Sequence, residues 1–235
     1  MLATSQGDLS AAIGTGVYTA REASRLLRIS PAKINRWLGG CAYRRDGVVV
    51  VQRPLWEPQL PRAAGHLELG FRDLVELRFV DAFLRAGLSL QAIRACLETA
   101  RAHVEDDRPF STRRFRTDGR KIFLETVRDA DAPELIDLGD RQYVFRDVVD
   151  RTFKDLDIED DAVVRWRPYQ GRASIVIDPT RAFGKPITAQ GGVPTVALAD
   201  AVRAEESEAK VARLYDVAPS VVRDAVRYEA SLAAA

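Results

Sequence analysis

The sequence predicts a mainly helical α+β protein, and three observations carry that prediction. Residues 19–38 read as two short helices joined by a tight turn, and an Asp46-Gly47 hairpin signal follows them. Short β-prone runs fill the middle of the chain. Helical segments at 196–203, 208–214 and 218–228 close it. The implied organisation is a flexible tail over 1–17, a helix-pair-and-hairpin domain over 18–105, a mixed β linker or dimerisation region over 106–173, and a C-terminal unit over 174–235. A chain of 235 residues has room for more than one such unit.

The first helix starts at Thr19, an N-cap whose partner Glu22 stands three residues on and completes a capping box. Ala23, Leu26 and Leu27 recur at helical spacing and form its buried face. The helix ends near Arg28. Ser30 then caps a second helix, with Pro31 at the first position, where a missing N–H costs nothing. Ile34, Trp37 and Leu38 face inward, which leaves Ala32, Lys33, Asn35 and Arg36 outside; Gly39-Gly40 stops the helix. This is the pattern of a helix-turn-helix whose second helix could enter a DNA major groove.

Asp46-Gly47 predicts a hairpin with arms over 42–45 and 48–52. A hairpin directly after a helix-turn-helix is a wing, and Arg44 and Arg45 stand near its tip, within reach of phosphates. Pro54, Pro58 and Pro61 break regular structure beyond it. Helix returns over 68–102. Phe71, Leu74, Val75, Leu77, Phe79, Val80, Phe83 and Leu84 make an apolar segment that Gly87 ends. Ser89 caps the next helix, whose buried stripe is Leu90, Ile93 and Leu97.

The middle reads as a small mixed sheet over 108–178. Asp118-Gly119 predicts a second hairpin with arms over 112–117 and 120–126. Further extended runs are expected at 141–145, 162–168 and 174–178, with a short helix over 148–156. In the last segment, Pro219 opens the third helix, so this unit also reads as a compact three-helix, helix-turn-helix-like structure.

Charge is asymmetric although the formal net is only +1. Residues 18–62 carry nine Lys/Arg against three Asp/Glu; residues 129–161 carry twelve Asp/Glu against four Lys/Arg. A basic head on an acidic body suits a protein that holds a polyanion at one end only. The two cysteines, Cys41 and Cys96, have no partner pattern, which fits a reducing cytoplasm rather than a disulfide scaffold. No metal-ligand spacing, phosphate-binding Gly loop or Ser/His/Asp or Cys/His set is present, so neither an enzyme nor a cofactor is expected. The acidic run Asp155, Asp157, Glu159, Asp160, Asp161 lacks the central Gly of a calcium loop. No apolar run approaches a membrane span, and the first residues do not form a signal peptide.

Two stretches resemble known families. YTAREASRLLRISPAKINRWL and FLRAGLSLQAIRACLETA are similar to the opening and the later helix pair of MerR-type winged helix-turn-helix proteins. That resemblance implies sequence-specific DNA binding as a dimer. It places base reading among Ala32, Lys33, Asn35 and Arg36, with Thr19, Arg21, Arg44 and Arg45 at the DNA backbone and Ser30 among the DNA-binding residues. The long dimerising coiled coil of such activators has no counterpart after Ala102, where no heptad repeat follows. The second stretch, 174–228, holds Gly184-Lys185-Pro186, Ile187, Val193-Pro194 and three helices, and resembles a small antitoxin-like domain of formerly unknown function. Proteins that join the two resemble VapB-type antitoxins. The combination implies a homodimer that represses its own operator DNA and neutralises a PIN-like ribonuclease toxin. Lys185, Arg213, Arg223 and Arg227, with Val222, Val226 and Tyr228 alongside the last two, are the expected toxin or dimer contacts. The alternatives are a MerR-like regulator that senses a small molecule and an excisionase-like architectural DNA-binding protein.

Overall fold

The computed structural model describes residues 14–45, 47–129 and 142–234. Within them the protein is α+β and mainly helical. Strand β1 (Tyr18–Thr19) leads into α1 (Ala20–Leu27) and α2 (Pro31–Gly39), and the hairpin β2 (Cys41–Arg45) and β3 (Val48–Gln52) follows. A proline-rich connection reaches β4 (Glu68–Leu69), which pairs antiparallel with β1. Then come α3 (Phe71–Arg85), α4 (Leu90–Val104), a 3-10 turn at Pro109–Ser111, α5 (Arg113–Asp129) and α6 (Gln142–Phe153).

Local chemistry sets the N-terminal elements. The Thr19 hydroxyl accepts from the Glu22 N–H at 3.2 Å while the Glu22 carboxylate accepts from the Thr19 N–H at 2.8 Å, the reciprocal pair of a capping box. Arg28 takes a left-handed conformation and ends α1. Ser30 caps α2 through the Lys33 N–H. Gly40 sits at φ 69°, and a Cβ there would lie 2.7 Å from the Gln52 carbonyl, so only glycine lets the chain turn into β2.

The core is built on α3, which is buried on nearly every side. Its two buried carboxylates are held by design of the surrounding backbone. Asp73 accepts from Trp56 Nε1, from the Gln59 and Gly70 N–H groups and from Arg108 Nε, all within 3.0 Å. Glu76 accepts from the Ser111 N–H at 2.8 Å and the Phe110 N–H at 3.3 Å.

The middle region departs from the sequence reading. The expected hairpin around Asp118-Gly119 is helix: both residues lie inside α5, and Phe115, Ile122, Phe123 and Thr126 form one buried helical stripe. Thr112 caps this helix rather than starting a strand, accepting from the Phe115 N–H at 3.1 Å. The run expected as a strand at 141–145 is likewise helix from Gln142 on, and Phe145, Val149 and Phe153 recur four apart on its inner face. The cause is packing. Phe145 stacks on Phe83 at 4.7 Å and Phe153 meets Phe79 at 4.9 Å, which packs α6 on α3, while Phe123 of α5 stacks on Phe145 at 4.3 Å and Phe115 meets Phe79 edge-on at 6.0 Å.

Among the described residues of this region the strands are β5 (Leu156–Glu159), β6 (Ala162–Trp166) and β7 (Ile175–Ile177), joined by β8 (Pro186–Thr188) in one antiparallel sheet of that order. A single apolar cluster runs from Tyr18 through α3–α6 to Ile177. Helices α7 (Thr195–Glu205), α8 (Glu208–Leu214) and α9 (Pro219–Ala233) enclose a second cluster of Leu198, Val211, Ala212, Val222 and Ala225. No helix among the described residues is long and apolar enough to cross a membrane.

Candidate nucleic-acid and partner interface

The α1–α2 pair presents one coherent outer face. Burial of Ile34, Trp37 and Leu38 fixes the rotation of α2, and that rotation leaves Ala32, Lys33, Asn35 and Arg36 exposed. Among the described residues neither Lys33 nor Arg36 has an ion-pair partner. The Asn35 amide donates to the Pro31 carbonyl at 2.9 Å, which leaves its side-chain oxygen free to accept. Thr19 and Ser30 are exposed, but both hydroxyls are engaged as caps. Arg21 is exposed on α1 and Arg44 on β2; the side chain of Arg45 and residue Asp46 lie outside the described residues. On the opposite arm Val48, Val49 and Val51 are 65%, 56% and 70% exposed, so the hairpin stands clear of the body.

The four cations expected at a partner surface are dispersed. Lys185 is exposed at the rim of a groove of about 190 Å³ between α1 and the C-terminal helices, lined also by Glu22, Arg25, Val196, Glu229 and Leu232. Arg213 is exposed at the end of α8. Arg223 and Arg227 are exposed one turn apart on α9, and Arg223 is already paired with Glu208 at 3.2 Å. Two of the apolar neighbours expected beside them are unavailable: Val222 and Tyr228 are buried. Val222 belongs to the three-helix core, and Tyr228 packs with Ile175 and Leu232 against Leu26 of α1.

The sequence reading missed the contact that joins the two ends of the chain. The Tyr18 hydroxyl donates to the Gly184 carbonyl at 2.7 Å, and the Val17 N–H donates to the Phe183 carbonyl at 3.1 Å. Burial pushes both the Tyr18 and Tyr228 phenols upward, so each stays neutral. It also missed the exposed apolar residues Phe183, Leu214 and Tyr215. Gly184 gave the one available signal, as a glycine between β-prone runs. Nothing local pointed to its partner.

Among the described residues no group of three His, Cys, Asp or Glu side chains is placed to hold a metal ion. Cys96 is buried, and that burial pushes its thiol up to about 12, which makes it a packing residue rather than a nucleophile.

No protein-family model matches the sequence. A curated protein of Mycobacterium tuberculosis, described as "Putative antitoxin VapB45", is 30% identical over 222 residues, covering 89% of this chain and 92% of that protein. The crystal structure of Rv2018 from Mycobacterium tuberculosis is similar with a TM-score of 0.72 at 28% identity, covering 89% of this chain and 96% of that one. The likeness therefore extends over most of both chains, and the chain belongs to the same protein family as VapB45.

Proposed function

We propose that this protein is the antitoxin of a toxin–antitoxin pair, and that it binds and neutralises a PIN-like ribonuclease and represses the operon encoding both. The observation that carries the antitoxin role is the 30% identity to VapB45 over nearly the full length of both chains. In this reading α1, α2 and the β2–β3 hairpin form a winged helix-turn-helix. Lys33, Asn35 and Arg36 read bases in the major groove, and Arg21, Arg44 and Arg45 hold phosphates. The support is physical: α2 carries exposed cations without an ion-pair partner among the described residues, on a stretch with nine basic and three acidic residues. A palindromic operator then requires two copies of the chain.

Co-expression with the protein of the adjoining gene tests the first role. The antitoxin should restore growth and co-purify with that protein, and failure of both would sink the reading. A gel-shift titration on the adjoining promoter, at stated salt, tests the second. Equal affinity for the promoter and for unrelated DNA would remove the repressor role.

A further inference from the structure

The α1–α2 pair recurs in the C-terminal unit at a constant spacing. Thr19 corresponds to Ser207, and every later pair keeps the same offset of 188 positions. Both residues are N-caps, accepting from the N–H three residues on at 3.2 and 3.3 Å. Ala23 and Val211 are buried. Arg28 and Asp216 both take the left-handed conformation, with φ 58° and 52°. Pro31 and Pro219 are each the first helical residue of the second helix. Ile34 and Val222 are both fully buried, as are Trp37 and Ala225 within a few per cent. Arg25-Leu26 and Arg213-Leu214 are identical pairs. Caps, turn and core positions all coincide, so α8–α9 is a second copy of the same scaffold.

The two copies differ outside. Residues 19–38 carry five basic side chains and one acidic; residues 207–226 carry three of each. The positions matching Lys33 and Arg36 are Val221 and Asp224, and Asp224 faces Arg172 at 3.7 Å. Where α2 stops at Gly39 and turns into a hairpin, α9 continues to Ala233. The second copy thus lacks the cations at the groove-facing positions of its second helix, and it lacks the wing.

It has an uncovered apolar corner instead. Leu26 and Leu27 pack against the body of the protein; Leu26 meets Tyr228 and Leu232 on the last turns of α9. Their counterparts Leu214 and Tyr215 are 64% and 37% exposed. The first copy therefore shows what covers this corner, namely an apolar stripe of a helix. Charge shows which helix. Of the five cations in residues 195–234, Arg203, Lys210 and Arg223 are paired with Asp200, Glu205 and Glu208. Arg213 and Arg227 have no ion-pair partner among the described residues, and Arg213 directly precedes Leu214.

We propose that α8–α9 is a helix-turn-helix given over to protein docking, and that Arg213, Leu214 and Tyr215 receive an apolar, carboxylate-flanked helix of the toxin. This assignment rests on the antitoxin reading above. A second copy of the chain is disfavoured as occupant, because its matching helix end, Tyr228 and Leu232, is already buried on its own α1.

The test uses the full-length chain and the protein of the adjoining gene, with wild type, Leu214→Asp and Arg213→Glu/Leu214→Asp compared by titration calorimetry. Both substitutions lie at exposed positions and should leave circular dichroism and promoter affinity unchanged. A loss of at least tenfold in partner affinity, as expected for a central apolar anchor, supports the assignment. Full partner binding by the double variant overturns it while leaving the antitoxin role standing. Absence of binding by wild type overturns both. A weaker promoter affinity in the variants assigns the corner to DNA and overturns it, as does a concentration-dependent change of oligomeric state without the partner.

Discussion

The Tyr18 hydroxyl and the Gly184 carbonyl, 166 residues apart in sequence, are joined by a buried 2.7 Å hydrogen bond. It ties the strand that opens the α1–α2 pair to the turn before β8. Gly184 has φ 77°, and a Cβ there would collide with the Tyr18 phenol. Tyr18→Phe leaves a buried carbonyl without its donor and should cost about 1–2 kcal/mol. Gly184→Ala adds a collision and a left-handed strain, and should cost more than Tyr18→Phe. Urea unfolding midpoints measure both, and a Gly184→Ala variant as stable as wild type would remove the contact from the stability argument.

Glu76 makes stability depend on pH. It is fully buried, and burial pushes its carboxyl up to about 7 despite the Arg72 charge and the Ser111 and Phe110 N–H groups, which favour the charged form. The folded value lies above the ordinary 4.5, so folding favours the protonated acid. Its contribution is complete below pH 4.5 and is lost as pH rises through about 7. The loss is on the order of 3 kcal/mol from this group alone. Glu76→Gln keeps an acceptor for Ser111 and cannot ionise, so its unfolding free energy should fall less than that of wild type between pH 4.5 and 8. Parallel curves for the two proteins would contradict the assignment.

The parts of this fold that were legible in the sequence are those decided by neighbours along the chain. The Thr19–Glu22 box, the Ser30-Pro31 start and the pairing of β2 with β3 each involve residues close along the chain, and each lies where the local pattern puts it. Asp118-Gly119 is a local signal of the same kind and misled, because Phe115 packing on Phe79 and Phe110, and Phe123 stacking on Phe145, gain more than a two-residue turn gains locally. Helix α6 was misread for the same reason: QYVF is β-prone in isolation and helical against Phe83. At the candidate interface, the exposure of Lys33 and Arg36 follows from the 3.6-residue period of α2. The Tyr18–Gly184 bond and the burial of Tyr228 depend on segments that meet only in the folded chain, so no local pattern encodes them.

The phenylalanine stack should dominate the stability of the middle region. Phe145 is 1% exposed and lies between Phe83, nearly parallel at 8°, and Phe123 at 19°. Phe145→Ala removes both faces of that stack and opens a cavity between α3, α5 and α6, at about 3–5 kcal/mol. Phe145→Leu refills most of the volume and should recover more than half of the loss. Thermal unfolding followed by near-ultraviolet circular dichroism resolves the two, and equal midpoints for Ala and wild type would show that α6 is not anchored through this ring.

Lys33 and Arg36 carry the last prediction. Both are exposed on α2 without an ion-pair partner among the described residues, so substituting them removes no folded-state contact and should leave the unfolding midpoint within about 0.5 kcal/mol of wild type. Lys33→Glu with Arg36→Glu places two carboxylates against phosphate and base edges and should abolish discrimination between promoter and random DNA at matched salt. Arg44→Ala should act differently. As a phosphate contact it should weaken both DNAs alike and make the slope of log affinity against log salt shallower by about one. If the doubly reversed protein kept its specificity while Arg44→Ala lost it, base reading would belong to the hairpin rather than to α2.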